Sequence, residues 1–308
     1  MRLSLLAMTW NDGIFDNPLF APFFYHLQIL EINSTLPDEG VLNALSYFHE
    51  LRELKLFFVN VPPIAHDVDL PLARTLQKLS LSSSSLEWMD GMVFTQLQRL
   101  TVDEYDWPQT FKPIMVAMPV CTHIVYEQFQ LENLHVLQSY FHLPLLDTFE
   151  FSHYFSDFQI DKKEMSEIQR IHAKTFRFRM FTTTPNLFRL MESKDEVEQL
   201  DLIIESSIGP SPEIAGNILT MMSMSNNTTR KVPCPNMKVL RLQFDDNIEG
   251  ADRERVSQSC RQMMNVRQLA GYSMERCYIW WSYGDWDTVG PSALVMENEV
   301  VRTEKSSL

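Results

Sequence analysis

The sequence predicts an α/β solenoid, in which short parallel strands stack side by side and the chain returns between them. Three observations carry this. The first is a local pattern: in Leu51-Arg-Glu-Leu-Lys-Leu56 the apolar residues stand at positions 1, 4 and 6, and the closing apolar-polar-apolar triplet has the period of a strand with one buried face. The second is recurrence. The same spacing returns at Leu27-Leu30-Ile32, Leu76-Leu79-Leu81, Leu97-Leu100-Val102, Leu146-Phe149-Phe151, Val197-Leu200-Leu202 and Met237-Leu240-Leu242, with degenerate copies at Cys121-Ile124-Tyr126 and Ala173-Phe176-Phe178. The third is phase: successive first positions are 24, 25, 21, 24, 25, 27, 24 and 40 residues apart.

A hydrophobic signature at roughly 20–29 residues is the mark of a leucine-rich repeat solenoid. The expected shape is a horseshoe, with a concave parallel sheet and irregular helices and loops on the convex side. Arg2-Leu3-Ser4-Leu5 reads as the second half of a repeat strand, since Leu3 precedes Leu30 by 27 residues. The chain thus opens in mid-repeat, and a segment missing upstream explains this better than an irregular fold-back of residues 1–26. Returning helices are expected at Asp38–Phe48, Glu132–Phe141, Asp161–Ile171, Pro185–Met191, Glu213–Met224 and Ala251–Met264. Asp38 and Asp161 suit N-caps, and Pro185 suits a first turn. Pro62, Pro63 and Pro71 exclude a regular helix over 59–71, and Leu86–Thr95 has room for one turn. The long step before Met237 is filled by the polar residues 225–236, read as a surface loop. The solenoid occupies residues 1–271. Residues 272–290, rich in Trp and Tyr, read as a C-terminal cap, with an aromatic recognition patch as the alternative, and 291–308 read as a flexible tail.

Composition narrows function. Apolar residues make up 45% of the 308, enough for a core, and the formal net charge is −14. That charge, with no dense basic run, speaks against nucleic acid. No stretch approaches the ~20 apolar residues of a membrane span, and Trp10, Asn11 and Asp12 interrupt the apolar N-terminus too early for a secretory signal. The sequons at Asn33, Asn226 and Asn227 are then coincidental. Cys121, Cys234, Cys260 and Cys277 show no paired spacing and read as free thiols in a reducing compartment, cytoplasmic or nuclear. Nine glycines are few for a nucleotide-binding fold, and no phosphate loop, nucleophile elbow or metal-ligand spacing is present. Cys121 and His123 come nearest, but Cys121 holds a buried repeat position. The reading is of a protein that is not an enzyme and needs no cofactor.

The repeats instead offer a surface. The column between the second and third apolar positions reads Glu31, Lys55, Ser80, Thr101, Val125, Glu150, Arg177, Asp201, Arg241, and its neighbour reads Asn33, Phe57, Ser82, Asp103, Glu127, Ser152, Arg179, Ile203, Gln243. Lys55, Phe57, Asp103, Glu127, Glu150, Arg177, Arg179, Asp201, Ile203 and Arg241 are the candidate partner-binding residues. Asp103, Glu127 and Glu150 form an acidic zone, Arg177 and Arg179 a basic pair near Arg241, and Phe57, Ile203 and Phe244 flank them as exposed apolar residues. Mixed charge with apolar anchors on a curved array suits a protein or peptide; a merely wet face is the plainer alternative.

The segments LQILEI, LRELKL, LQKLSL, LQRLTV, LPLLDTFEF, VEQLDL and MKVLRL resemble the degenerate leucine-rich repeat region of fungal F-box proteins, above all the expanded families of mushroom-forming fungi. The resemblance covers about residues 1–270 and rests on periodicity, irregular repeat length and the lack of an asparagine ladder. It implies a substrate receptor whose N-terminal F-box docks on the Skp-type adaptor of an SCF-type ubiquitin ligase. No F-box precedes these repeats, so an adaptor is implied only if one exists upstream; otherwise a stand-alone repeat scaffold remains.

Overall fold

In the computed structural model the chain forms two compact units, Met1–Tyr154 with Asp161–Ala173, and Phe155–Ile160 with Lys174–Leu308. The structure describes residues 2–6, 21–33, 45–57, 70–103, 114–127, 141–152, 170–180, 191–192, 194–204, 211–223, 232–244, 250–272, 274–281 and 294–297.

The first unit is a stack of parallel strands. Strands β1 (Arg2–Leu6), β2 (Ile29–Asn33), β3 (Glu53–Phe57), β4 (Lys78–Ser82) and β5 (Arg99–Asp103) are joined in sequence order. The order continues through β7 (His123–Glu127) to β9 (Thr148–Ser152). A separate two-stranded sheet pairs β6 (Val116–Ala117) with β8 (Phe141–His142). The register follows the apolar pattern: Leu3 pairs with Leu30, Leu30 with Leu54, Leu54 with Leu79, Leu79 with Leu100, Leu100 with Ile124 and Ile124 with Phe149. Leu27, Leu51, Leu76, Leu97 and Cys121 at the first position are fully buried. Each unit is therefore a parallel-strand solenoid whose core lies on the face occupied by the apolar positions.

A backbone device recurs where the chain enters β3, β4, β5, β7 and β9. The Gln28 carbonyl accepts both Arg52 N–H and Glu53 N–H, the Arg52 carbonyl accepts Gln77 and Lys78, and Gln77 accepts Gln98 and Arg99. Gln98 and Thr122 repeat the motif. One carbonyl with two lone pairs thus satisfies two donors that the ladder has not yet reached.

The second unit has the same architecture. Strands β10 (Thr175–Met180), β11 (Gln199–Ile204), β12 (Val239–Phe244) and β13 (Arg276–Trp281) run parallel, and β14 (Leu294–Glu297) closes antiparallel on β13. The forked carbonyls are Lys174, Glu198 and Lys238. The sequence pattern fades after Leu269, yet the ladder goes on: Met274, Cys277 and Ile279 are fully buried at the 1-4-6 spacing, and Leu240 pairs with Cys277 and Leu242 with Ile279.

Among the described elements, two helices return the chain here, α2 (Ser211–Ser223) and α3 (Gly250–Leu269), with α1 (Ala21–Tyr25) in the first unit. Ala215, Ile218, Leu219 and Met222 line one stripe of α2, and Val256, Cys260, Met263 and Met264 line α3; the two helices pack together. Helix α3 ends in a Schellman motif, in which Tyr272 N–H reaches the Arg267 carbonyl at 2.8 Å and Gly271 N–H the Gln268 carbonyl at 3.0 Å. Gly271 takes the left-handed φ of 86° that this motif requires.

Three expectations change. Phe141 does not end a helix but begins β8. The return after β4 is a 3-10 segment at Ser83–Met89, whose Trp88 packs edge-on against Phe94 in the core. The end of the supposed surface loop, Val232–Cys234, is buried, because Arg267 donates to the Pro233 and Cys234 carbonyls and the Cys234 N–H donates to the Met191 carbonyl at 3.2 Å. The expected helices over 38–44, 132–140, 161–169 and 185–190 lie outside the described residues.

Candidate functional site

Alternation puts the residues between the apolar positions on the sheet face away from the core. Register aligns them into rows. In the first unit Glu31, Lys55, Ser80, Thr101, Val125 and Glu150 share one row. Ser82, Asp103 and Glu127 share the next. In the second unit Arg177, Asp201, Arg241 and Tyr278 share a row, and Arg179, Ile203, Gln243 and Trp280 the one beyond it. The columns read from the sequence are thus physical rows within each unit.

The first unit's face is a shallow lattice of ions. Lys55 Nζ lies 3.5 Å from Glu53. Glu150 Oε2 takes His123 at 3.2 Å and Arg99 at 3.9 Å. Phe57, Asp103 and Glu127 are half-buried. Thr101 and Val125, expected at the surface, are buried at 7% and 1% exposure; Glu150, in the same row, reaches back across their strands to His123 and Arg99.

The second unit's face has a deeper centre. Asp201 is fully buried, not exposed as its column implied. Arg177 Nε donates to its Oδ2 at 3.1 Å, and Gln199 Nε2 donates to both oxygens at 3.0 Å. Arg241 Nη1 stands 3.7 Å from the same Oδ2, beyond hydrogen-bond length. The Arg241 guanidinium lies over the Tyr278 ring, 5.6 Å from its centre, and Arg276 Nη1 donates to the Tyr278 hydroxyl at 3.2 Å. Burial pushes the Asp201 carboxyl up to about 6, outweighing the opposing pull of Arg241, Gln199 and Arg177. Arg177 and Arg241 keep 14% and 23% of their side chains exposed. The apolar flank is corrected too: Ile203 is 7% exposed and Phe244 fully buried.

Behind this face sit two buried cations that the pattern gave no sign of. Arg267 donates through Nη1 to the Met222 and Pro233 carbonyls and through Nη2 to Cys234 at 2.6 Å. It thereby caps the end of α2 and fixes the turn before β12, where Cys234 has a left-handed φ of 44°. Lys194 lies over the Phe176 ring with Glu196 at 3.4 Å, and burial lowers its pKa against the opposing pull of Glu196.

The thiols are core groups. Burial raises Cys121 to about 11 and Cys234 to about 12, far from the range of a reactive thiolate. Cys260 and Cys277, distant in sequence, meet with their sulfurs 3.5 Å apart. Among the described residues no helix is long and apolar enough to cross a membrane.

No known family model matches this chain. No curated protein matches it either.

Arg177, Asp201 and Arg241 lie in one row, as their shared column predicts; Gln199 and Arg276 stand outside the predicted columns, and Tyr278, expected in the C-terminal cap or aromatic patch, instead joins that row. The signal for Tyr278 was present: it lies between Cys277 and Ile279, the fourth and sixth positions of a copy whose Met and Cys weaken the leucine pattern.

Proposed function

We propose that the chain is a leucine-rich repeat binding module of horseshoe form that holds a protein partner on its sheet face, in the manner of the substrate-recognition part of an F-box subunit of an SCF-type ubiquitin ligase. The observation that supports this reading is the arrangement of charged and aromatic side chains into registered rows on a face of parallel strands, away from the core. Such rows give a partner several anchors at the ~4.8 Å strand spacing. The module works without catalysis or cofactor, in the cytoplasm or nucleus, and a Skp-type adaptor joins only through an F-box upstream of residue 1.

Photo-crosslinking tests the surface. A crosslinking amino acid at Lys55 or Arg179 captures a defined protein, whereas one at Leu269, 89% exposed on α3, does not. Equal capture from all three positions, or from none, overturns the reading. For the ligase link, the 5′ end of the transcript is mapped and the product of any in-frame extension is mixed with purified Skp-type adaptor; failure to co-elute removes that part alone.

A further inference from the structure

The four cysteines have different neighbours. Cys121 Sγ donates to the Gln98 and His123 carbonyls at 3.5 Å, and Cys234 Sγ lies against the carbonyl and the thioether sulfur of Met191. Cys277 Sγ instead donates to Cys260 Sγ at 3.5 Å, and the two are 17 residues apart in sequence. Both side chains are fully buried. Closure to the ~2.05 Å of a disulfide asks each sulfur to move by less than about 1 Å. The two residues stand on elements held in different ways. Cys277 is on the core side of β13, a rung of the ladder, and pairs with Leu240. Cys260 is on α3, which buries one stripe and leaves Arg255, Gln258, Arg261 and Gln262 exposed on the other side.

We propose that Cys260 and Cys277 form a redox latch, which closes into a disulfide under oxidising conditions and fastens α3 to β13. The oxidant is a small-molecule disulfide. The thiolate of one cysteine attacks a sulfur of that molecule; its S–S bond breaks, and one small thiol leaves with a proton. The second cysteine then attacks the mixed disulfide, the bond between Cys260 and Cys277 forms, and the second small thiol leaves. The two protein thiols lose two electrons and two protons, and the small disulfide gains them. The hydrogen bond with Cys277 and burial both raise the Cys260 thiol, so the attacking thiolate forms when α3 opens to water. Burial shelters the closed bond from reductants in the same way. Exchange is therefore slow in both directions, as suits a latch. The bond closes a short loop, and restricting that loop in the unfolded chain stabilises the folded second unit. Tyr278 follows Cys277 on the opposite face of β13, so the latch anchors from behind the rung that presents Tyr278 to Arg241.

Incubation of the full chain with mixtures of oxidised and reduced glutathione tests this, read by thiol alkylation in denaturant and by peptide mass mapping. Two of the four thiols become blocked, and one cross-linked peptide pair joins Cys260 to Cys277. Cys121 and Cys234 remain open to alkylation. Urea below the unfolding transition speeds the cross-link, because it favours the opening of α3. The oxidised chain melts several degrees above the reduced one, and Cys260→Ala, with its fold checked by circular dichroism, shows no such rise. Four results overturn the proposal: all four thiols free in the most oxidising mixture, glutathione attached singly with no cross-link, scrambled pairs that include Cys121 or Cys234, or a cross-linked chain that melts no higher than the reduced one. The peptide map and melting of the unaltered chain decide the matter even where Cys260→Ala fails to fold.

Discussion

The two units share one ladder geometry but are held in different ways. In the first, among the described residues, the buried polar side chains are hydroxyls, Ser82, Thr101 and Ser152, on the sheet face away from the repeat leucines. In the second they include ions: Lys194, Asp201 and Arg267 are all fully buried. A hydrocarbon core loses stability by cavity formation and is indifferent to pH. An ionic interior responds to proton concentration and to the loss of any one partner. The difference shows that repeat spacing fixes backbone stacking without fixing what the stack is filled with.

The comparison is sharpest at Arg267. Replacing it by Ala leaves the Met222, Pro233 and Cys234 carbonyls without their donor and should cost about 3–5 kcal/mol. Hydrogen exchange should show the loss in α2, α3 and β12 and not in β3 to β5; uniform loss would mean that the units do not differ in this way. Next comes Leu54→Ala in the first unit, whose side chain is fully buried between the equivalent leucines of β2 and β4. It should cost about 2–4 kcal/mol at every pH, and a marked pH dependence of that cost would break the contrast.

Asp201 supplies the complementary pH effect. Its folded-state pKa, raised to about 6 from 3.8, means that the folded form holds the proton more tightly than the unfolded chain. The contribution is complete below the unfolded value and is lost as pH rises through about 6. The second unit should therefore gain about 2–3 kcal/mol on acidification across this window, and Asp201→Asn should abolish that gain. Denaturant titration from pH 7 to pH 4 reads it directly, and a second unit that weakens steadily with acid, with Asp201 intact, would refute the assignment. The smallest effect belongs to Glu150→Gln. Its partners His123 and Arg99 are partly solvated, so the loss should stay within about 1 kcal/mol; a larger one would show the first unit also to depend on ions.

Strands and core were legible because their signal is local: three apolar residues within six, repeated, leave one arrangement that buries them all. Leu3 facing Leu30 follows from phase alone. Contacts across the stack were harder. Arg177 and Asp201 are 24 residues apart and Asp201 and Arg241 are 40, so only the register of neighbouring strands joins them, and nothing in the sequence says how deep Asp201 lies. Arg267 was invisible for a related reason. It falls on the apolar stripe of α3, three and four residues after Met264 and Met263, where an arginine reads as an exposed interruption, and its acceptors are backbone carbonyls that carry no sequence label. The meeting of Cys260 with Cys277 depends on α3 folding back onto β13, a packing choice that spacing does not encode.

The forked carbonyl at the entry to eight of the described strands has a consequence for how such a chain can change. Each fork binds only the backbone of the next turn, at a fixed place just before the strand. It works alike across the 21-residue step from Leu76 to Leu97 and the 40-residue step from Val197 to Met237. The rungs are thus decoupled from the spacers between them. A segment spliced into a return need meet no requirement of sequence or length at the rungs themselves, so new binding loops can be grafted beside the sheet while the scaffold that displays them keeps its register.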